Sequence, residues 1–404
     1  MKIDLLYKSE KNIPFICGSF INALGLVRSF GIENINSVVI DYKNGIAANS
    51  KYSVWLKSPK PKKEKEFIDF LINVGMKLKR KGFLLVTNDI WLLPIAKNKK
   101  ELEKYFIIPM SDWEVINNAL NKSYLYDFAS NHNILHPKTK VIKNFSITEV
   151  NNLQYPIILK PSMTTDFTGV VKEPRNTIVK NKNELETWFK DIKKYAFNNI
   201  EVIAQEYIPG GTETLYTITS YTNIDGELKA FSIGHKIRQF PINAGTITSG
   251  KVSYNQLLHK TAEDFFCKFK FHGIANTEFK YDKRDNTFKL IEINARPGKW
   301  NSSACVTDIN LPLIAYNDLV FSKIDKNIIF NKQEVIWIDG FEDYRAYINT
   351  IKNKNFFSFK NFLQWWNDFE KIEKTFAIYN INDLKPFLYY NFIKIKSFIK
   401  RFVS

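Results

Sequence analysis

The sequence has 404 residues, a length that fits two to four domains. With 45% hydrophobic and 15% aromatic residues, it can bury a large core, which excludes disordered and collagen-like proteins. No apolar stretch reaches the roughly 20 residues of a membrane span, and Cys17, Cys267 and Cys305 form neither a disulfide framework nor a zinc pattern. We therefore expect a soluble protein of a reducing compartment. Its formal charge of +17 favours anionic partners, whether nucleotides, nucleic acid or acidic membranes.

The N-terminal part alternates predicted strands and helices. Strands are predicted at 14–18, 37–41 and 82–89, with helical spacing over 23–30 and a charged helix over 63–81. This alternation is typical of a doubly wound parallel sheet. No complete dinucleotide-binding fingerprint follows the first strand, so this region predicts a fold and no site.

The middle of the chain is richer in strands. A predicted helix over 117–131 leads to a turn at 136–139. Further on, two strands flank the turn Asn223-Ile224-Asp225-Gly226, which indicates a hairpin. After Val335 the composition shifts to Phe, Trp, Asn and Lys, which suggests an appended helical region.

The clearest chemical pattern is the segment 290–297. Side chains alternate along a strand, so Glu292, Asn294 and Arg296 would share one face. Glu278 lies on a preceding alternating strand, which the turn 282–286 can pair antiparallel with the first. Two carboxylates and an amide oxygen suit a hard cation such as Mg²⁺. The same alternation also fits the outer face of an ordinary hairpin.

Two further segments point to nucleotide chemistry. The apolar run 155–161 ends with Lys160 next to a proline, and an ammonium group at a strand end suits phosphate oxygens. In a chain this rich in lysine, a plain surface lysine is the alternative. The segment 202–213 has the pattern of a strand, a hinge and a Gly-Gly turn.

These residues occur in the order found in one enzyme superfamily: Lys122, Leu159-Lys160-Pro161, Gln205-Glu206-Tyr207-Ile208, Glu213, Arg238, Glu278 and Glu292-Ile293-Asn294-Ala295-Arg296. In this order they resemble the ATP-grasp superfamily. More narrowly, they resemble its carboxylate–amine ligases of the carbamoyl-phosphate-synthase-like and D-aspartate-ligase-like branch. The resemblance covers nearly the whole chain, with the diagnostic motifs in 122–300.

The resemblance implies an α/β fold, α+β in its ATP-grasp part, divided into four regions. These are a Rossmann-like pre-ATP-grasp domain at 1–115, a small ATP-grasp lobe with a connecting helix at 116–205, a large lobe with the metal site at 206–330, and an aromatic and basic helical extension at 331–404. The implied activity joins a carboxylate to an amine through an acyl-phosphate and releases ADP and phosphate. Cell-wall synthesis and the attachment of amino acids to surface polysaccharides are settings that fit this chemistry.

The resemblance also assigns site residues. The ATP contacts are Lys122 and Lys160 at the α- and β-phosphates, Gln205 at the adenine amino group, the backbone of Glu206 and Ile208 in the hinge, and Glu213 at the ribose. The ligands of Mg²⁺ or Mn²⁺ are Glu278, Glu292 and Asn294. Catalytic contacts to the γ-phosphate, the acyl-phosphate or the carboxylate come from Arg296, Arg238 and Lys236.

Two segments depart from the family pattern. After Lys160 the segment 162–169 has a single glycine, so hydroxyl groups of Thr164, Thr165 or Thr168 would join the phosphate cradle. The segment 295–300 also differs from the commoner Pro-Arg-Phe-Trp-Gly of relatives. Because the acceptor would lie there, the identity of the substrates is not carried over.

The C-terminal segment 387–404 predicts a basic amphipathic helix. Its apolar face consists of Leu388, Phe392, Ile395, Ile399, Phe402 and Val403. Such a helix packs on its own domain or lies on an anionic membrane. We expect a cytoplasmic enzyme with small carboxylate and amine substrates and no nucleic-acid partner. Its acceptor can be lipid- or sugar-linked. A peripheral location at the inner membrane face and a homodimer are both compatible with the sequence.

Two rival functions remain open from the sequence. One is an ATP-grasp kinase or carboxyphosphate-forming ligase with a different acceptor. The other is a catalytically idle basic module that binds membrane or nucleic acid.

Overall fold

The protein is described from a computed structural model that covers residues 7–163, 176–192, 201–242, 245–324, 327–351 and 358–403, without the side chains of 397–403. Its described strands are β1 Pro14–Cys17, β2 Ser37–Asp41, β3 Ser53–Lys57, β4 Gly82–Val86, β5 Phe106–Ile107, β6 Thr139–Ile142, β7 Ile157–Pro161, β8 Thr177–Val179, β9 Val202–Glu206, β10 Leu215–Thr222, β11 Leu228–Phe240, β12 Thr246–Val252, β13 Gly273–Asp282, β14 Thr287–Asn294, β15 Val335–Ile338 and β16 Lys374–Phe376. Its described α-helices are α1 Ile21–Gly31, α2 Glu64–Gly75, α3 Asp89–Lys97, α4 Lys99–Leu102, α5 Trp113–Leu120, α6 Lys122–Asn131, α7 Lys182–Ile192, α8 Gln256–Phe269, α9 Ser302–Val306, α10 Leu311–Phe321, α11 Gly340–Thr350, α12 Phe359–Asn367 and α13 Lys385–Val403.

The first five strands form a parallel sheet in the order β3-β2-β1-β4-β5, the N-terminal sheet. β1, β2 and β4 consist entirely of buried residues, because helices cover a parallel sheet on both faces. Gly18 follows β1 with φ +102°, and a Cβ there would lie 2.1 Å from Thr87 Oγ1. This turn therefore needs glycine. The carboxyl ends of β1 and β4 share one edge of the sheet, where ligands bind in such folds.

Two antiparallel sheets follow. The small sheet has the order β6-β9-β7-β8, and its own hydrophobic core includes Ile157, Leu159 and Phe189. The large sheet has the order β14-β13-β10-β11-β12-β15-β16. The predicted hairpin at 223–226 is the connection between β10 and β11.

The region 331–404, predicted as helical, also contributes two strands to the large sheet. β15 pairs antiparallel with β12, and β16 pairs parallel with β15. β15 is the apolar run Val-Ile-Trp-Ile, and all four residues are buried. A short buried run of this kind is not periodic, so composition alone gave no strand signal.

The C-terminal region is joined to the N-terminal sheet through Asp383. Its carboxylate accepts hydrogen bonds from Arg28 Nε at 3.1 Å, Ser50 Oγ at 2.7 Å and the Lys51 backbone N–H at 2.9 Å. The side chain is almost completely buried. None of the described helices is long and apolar enough to cross a membrane.

Candidate active site

Two glutamates face each other at the centre of the candidate site. β13 and β14 pair antiparallel, and their register places Glu278 opposite Glu292. The side chain of Glu278 is 17% exposed and that of Glu292 is 32% exposed. Like charges directly opposite each other destabilise an ordinary sheet. The pair therefore depends on cations nearby.

Three buried lysines surround this pair, and we call the five residues the glutamate cluster. Lys236 on β11 donates to Glu278 Oε2 at 3.2 Å. Lys122, the first residue of α6, has its Nζ 4.0 Å from Glu292 Oε2. Burial lowers the pKa of Lys122, and it lowers that of Lys160 to about 8, although the nearby carboxylates oppose both shifts. Three cationic groups around two carboxylates leave the cluster able to bind an anion.

The two carboxyl groups differ in acidity. Burial raises the pKa of Glu278; Lys236 opposes this rise and the charge of Glu292 adds to it. Burial acts in the same direction on Glu292, but Lys122 and the Asn294 amide hold its pKa below the usual range. Glu292 is therefore the more firmly ionised of the two.

Lys160 is held in place from two sides. Its Nζ donates to Gln205 Oε1 at 2.8 Å and to the Tyr126 hydroxyl at 3.3 Å. Tyr126 donates in turn to the backbone carbonyl of Ile291. Gln205 Nε2 donates to Thr139 Oγ1 at 2.8 Å. The position of Lys160 at the end of β7 is thus fixed by neighbours on β9 and α6.

Hydrogen bonds also join the start of α6 to the end of β7. The backbone N–H of Lys122 donates to the carbonyl of Ser162 at 3.0 Å. Asn121 caps the helix, because its Oδ1 accepts from the backbone of Ser123 and from the Ser162 hydroxyl. This junction brings Lys122 and Lys160, from separate elements, to the same site.

Asn294 and Arg296 extend the polar row of β14 towards the N-terminal sheet. Asn294 Nδ2 donates to Glu292 Oε1 at 3.1 Å, and Arg296 Nη2 donates to Asn294 Oδ1 at 3.3 Å. Arg296 also binds Asp89 with Nε at 2.7 Å and Nη2 at 3.3 Å. Asp89 begins α3 directly after β4, at the carboxyl edge of the N-terminal sheet. The ion pair therefore joins the segment after β14 to the helix that follows β4 across the site.

A cleft lies where these elements meet. It is lined by Asp89, Leu93, Ala119, Leu120, Lys122, Met163, Glu292, Ile293 and Asn294. The residues come from α3, from α5 and α6, from the segment after β7 and from β14 of the large sheet. Clefts at domain junctions with a few convergent polar groups are the usual place for small-molecule sites. The predicted hydroxyl contacts of Thr164, Thr165 and Thr168 lie outside the described residues.

The side chains of the site offer oxygen donors for a hard cation. Glu278 and Glu292 supply carboxylates, and Asn294 supplies an amide oxygen if its amide turns away from Glu292. Within the described ranges, no three His, Cys, Asp or Glu side chains come together as metal ligands. Two carboxylates and an amide are sufficient for Mg²⁺, which completes its shell with water and substrate phosphates. These residues fit the ion, and the metal site stays a prediction.

The residues predicted to contact the nucleoside lie on β9 and directly after it. The Glu206 carboxylate accepts from Arg284 at 2.7 Å, so its side chain points towards the β13–β14 turn. Ile208 is buried. Glu213 is exposed, its carboxylate accepts from the backbone of Gly211, and backbone hydrogen bonds lower its pKa. Glu213 is thus an ionised acceptor at the surface, and the hinge and ribose roles stay predictions.

Arg238, predicted as a catalytic residue, is not brought to the glutamates. Its guanidinium binds Asp343 with Nε at 3.0 Å and Nη2 at 2.7 Å, and Nη1 binds Asp368. In a regular strand, residues two apart share a face, which would put Arg238 beside Lys236. The pairing of β11 shifts register between these two residues. Lys236 therefore faces Glu278, whereas Arg238 faces the C-terminal helices.

Asp343 is the centre of this second set of charges. Besides Arg238, it accepts from Thr248 Oγ1 and from Trp365 Nε1, both at 2.8 Å. Its side chain has no exposed surface. We call Arg238, Asp343, Asp368, Thr248 and Trp365 the Arg238 cluster. Each oxygen of Asp343 is satisfied from within the protein.

Sequence reasoning missed two residues of the site. Asp89 follows a buried parallel strand, and side chains at that edge of a doubly wound sheet are candidates for ligand contact. Tyr126 lies four residues after Lys122 on α6, so the two share a helix face. Both signals were present in the sequence once the elements were placed.

Comparison with known proteins gives one similar curated sequence and many similar folds. No family model matches the chain. A D-aspartate ligase of Enterococcus faecium is 27% identical over 332 residues, which is 78% of each chain. The L-amino acid ligase of Bacillus licheniformis has a TM-score of 0.60 at 15% identity and covers 81% of this chain and 79% of its own.

A second solved structure is the N5-carboxyaminoimidazole synthetase of Staphylococcus aureus. It has a TM-score of 0.63 at 14% identity and covers 85% of this chain and 86% of its own. The same synthetase complexed with ADP has a TM-score of 0.60. At these identities the solved structures establish a shared fold.

Proposed function

We propose that the chain, which has the ATP-grasp fold and is 27% identical to a D-aspartate ligase, is an ATP-dependent ligase that joins the carboxylate of one small substrate to the amine of another. ATP would first phosphorylate the carboxylate, and the amine would then displace phosphate from the acyl-phosphate. The products are an amide, ADP and phosphate. The observation that carries the proposal is the glutamate cluster, of which Lys122 and Glu292 line the cleft.

ATP would lie between the small and the large sheet. Lys122 and Lys160 come from elements on one side of the cleft, and their charges would hold the phosphates against the large sheet. The hinge at Glu206 and Ile208 would bind the adenine through its backbone, with Gln205 at the amino group and Glu213 at the ribose. Gln205 is buried beside Lys160, so the adenine and phosphate contacts would be mechanically linked.

Glu278, Glu292 and Asn294 would hold Mg²⁺, which would supply positive charge to offset the negative charge of the transferring phosphoryl group. Lys236 donates to Glu278 and opposes the rise that burial causes in the pKa of this carboxyl, which favours the ionised form that a cation would bind. Glu292 is ionised more firmly because Lys122 lies nearby.

Arg296 would orient the carboxylate that is activated. Guanidinium binds carboxylate in a bidentate geometry, and Arg296 already binds the Asp89 carboxylate in this way. A substrate carboxylate or acyl-phosphate could take the same place beside Arg296. Asp89 would then be free to face the ammonium group of a substrate.

The similarity to a D-aspartate ligase makes an acidic amino acid the first carboxylate substrate to test. The amine would belong to a larger acceptor, such as a cell-wall precursor or a sugar-linked amine, in the cytoplasm or at the inner membrane face. A specific observation also favours a second candidate. The fold is at least as similar to N5-carboxyaminoimidazole synthetase as to the amino acid ligase, so an enzyme that makes carboxyphosphate and uses another acceptor has the same structural support.

ADP release with ATP and Mg²⁺ tests the proposal. The assay supplies D-aspartate, L-aspartate and other small carboxylates, each with and without pooled amines, and bicarbonate in a parallel series. Release that requires a carboxylate and an amine, with an amide detected by mass spectrometry, supports the ligase. Release that requires bicarbonate alone supports the second candidate. The Glu292→Gln variant should be inactive in either series, because the charge of the proposed metal site is reduced.

A further inference from the structure

The helix α12 exposes an apolar face. Phe359, Phe362, Leu363 and Trp366 are spaced three and four residues apart, so they share one side of the helix. Phe359 is 73% exposed, and the other three are also exposed. Trp365 on the opposite side is buried and belongs to the Arg238 cluster. The helix thus packs through its other side, and although Phe362 and Trp366 also contact Tyr344 and Phe376, much of this face stays exposed among the described residues.

The helix α13 exposes a second apolar face. Leu388 and Phe392 are each 63% exposed, and Ile395 is 59% exposed. At 3.6 residues per turn these three side chains span about 60° of the helix surface. Phe387 and Tyr390 lie on the opposite side and pack against the core beside the N-terminal sheet. The helix therefore has one face docked on the protein and one face directed to solvent.

A line of aromatic contacts connects the two helices. Trp366 of α12 stacks on Phe376 with ring centroids 6.3 Å apart, Phe376 contacts Tyr379 at 6.2 Å, and Tyr379 contacts Phe387 of α13 at 5.4 Å. Both helices also contact α11. Trp365 packs on Tyr344 of that helix. The two exposed faces thus belong to one continuous part of the molecule.

The second contact with α11 is an ion pair between Lys394 of α13 and Glu342, with 2.9 Å between Nζ and Oε1. More than half of the large apolar side chains that the described residues expose lie beyond residue 340, in less than a fifth of the sequence. A monomer rarely leaves so much apolar surface exposed in one region unless it binds something there.

The charges beside these faces indicate what binds. Lys360 is exposed next to the apolar face of α12, and Lys385 and Lys396 are exposed next to that of α13. From Lys385 onwards the sequence has no acidic residue, and the whole chain carries a formal charge of +17. Apolar side chains bordered by lysines match an interface that is apolar below and anionic above, as in an acidic lipid layer.

We propose that α12 and α13 together bind the surface of an anionic lipid bilayer, with both helices lying in the plane of the interface. None of the helices that the structure describes can span a bilayer, so the protein would lie on the membrane and not cross it. The proposal goes beyond the ligase reaction and does not depend on it.

Sedimentation with lipid vesicles tests the proposal on the full chain. The vesicles contain phosphatidylglycerol and phosphatidylcholine in equal parts, or phosphatidylcholine alone. We expect binding to the first kind, little binding to the second, and weaker binding as salt is raised, because the lysines contribute through screened charge.

Two substitutions remove apolar contacts from the surface. Phe392→Gln on α13 and Trp366→Gln on α12 should each weaken vesicle binding about tenfold, because each removes a large apolar side chain from the interface. Ile224→Gln is the matched control, since Ile224 is 69% exposed in the β10–β11 turn, away from both helices. The control should bind vesicles like the wild type. Thermal unfolding confirms that each variant is folded before it is compared.

Four results would overturn the proposal. The wild type fails to bind anionic vesicles, or it binds phosphatidylcholine vesicles equally well, or folded helix variants bind as tightly as the wild type. The fourth result is that the protein forms a dimer without lipid, as measured by analytical ultracentrifugation, and does not bind vesicles. Each of the two helix substitutions would then dissociate this dimer. A second copy of the chain would then cover these faces.

Discussion

Two clusters beside the large sheet both pair carboxylates with cationic side chains, but they do so to different degrees. In the Arg238 cluster, Asp343 has no exposed surface and is satisfied by Arg238, Thr248 and Trp365 at distances of 2.7–3.2 Å. In the glutamate cluster the closest lysine contacts of the two carboxylates are 3.2 and 4.0 Å, and Glu292 remains 32% exposed. A saturated cluster stabilises the fold, whereas a partly satisfied one beside a cleft is free to bind a ligand.

The largest effect that separates the two clusters is expected at Glu292. Glu292→Gln removes one charge and keeps the shape of the side chain, so turnover should fall about 10²–10³-fold, the usual loss when a preorganised charge contact to the transition state is removed. The free energy of unfolding should change little, because the carboxylate is only loosely paired. ADP release and urea unfolding measure the two quantities. Retained turnover would contradict the assignment of the site.

The converse effect is expected at Asp343. Asp343→Asn breaks a buried ion pair and should lower the free energy of unfolding by about 3–5 kcal/mol. Turnover per folded molecule should remain, because no contact of Asp343 reaches the cleft. Urea unfolding measures the loss, and activity is normalised to the folded fraction.

Arg238→Met tests the same difference between the Arg238 cluster and the glutamate cluster. We expect it to destabilise the fold like Asp343→Asn, since it leaves the buried carboxylate without its cation. If Arg238→Met instead lowered turnover and left unfolding unchanged, the role predicted for Arg238 from the sequence would stand. The two clusters would then not differ in function.

A smaller effect concerns the pH dependence of nucleotide binding. Burial lowers the pKa of Lys160 to about 8, so the free enzyme loses this positive charge as the pH rises above about 8. If Lys160 binds phosphate, the dissociation constant of ATP should rise by about tenfold per pH unit above that value. Lys160→Arg should remove this dependence, because arginine stays protonated. If the dissociation constant of ATP rose equally steeply with pH in the wild type and in Lys160→Arg, Lys160 would be excluded as the source of the pH dependence.

The smallest effect is expected at Asp89. Asp89→Asn removes the charge that would face the ammonium group of the substrate once its carboxylate binds Arg296, so the KM of the carboxylate substrate should rise about fivefold, in keeping with a partly exposed pair. The KM of ATP should not change. An equal rise in both values would mean that Asp89 acts on the closure of the whole cleft and not on the carboxylate.

The sequence predicted the ATP-grasp fold, and this prediction is confirmed. The alternation of Glu292 and Asn294 opposite Glu278 was visible because an antiparallel hairpin fixes which residues face each other. The N-terminal sheet was visible because its strands are buried apolar runs. The role of the cluster as a metal site remains a prediction.

Other features could not be predicted because they depend on local irregularity or on contacts distant in sequence. The shift of register in β11 turns Arg238 away from Lys236. No residue type in the sequence predicts such a shift. The pair of Arg296 with Asp89 joins residues 207 positions apart. β15 was missed because a buried run of four residues carries no period.

The hydrogen bonds of Asp383 bear on how the chain is synthesised and folded. Asp383 lies 332 positions after Lys51, so the ribosome must add a further 332 residues before this joint can form. Until then Arg28 and Ser50 lack a partner that they have in the finished protein. Contacts this distant in sequence form late in folding. The N-terminal sheet, although it is synthesised before Asp383, should therefore be among the last parts to reach its full resistance to proteases.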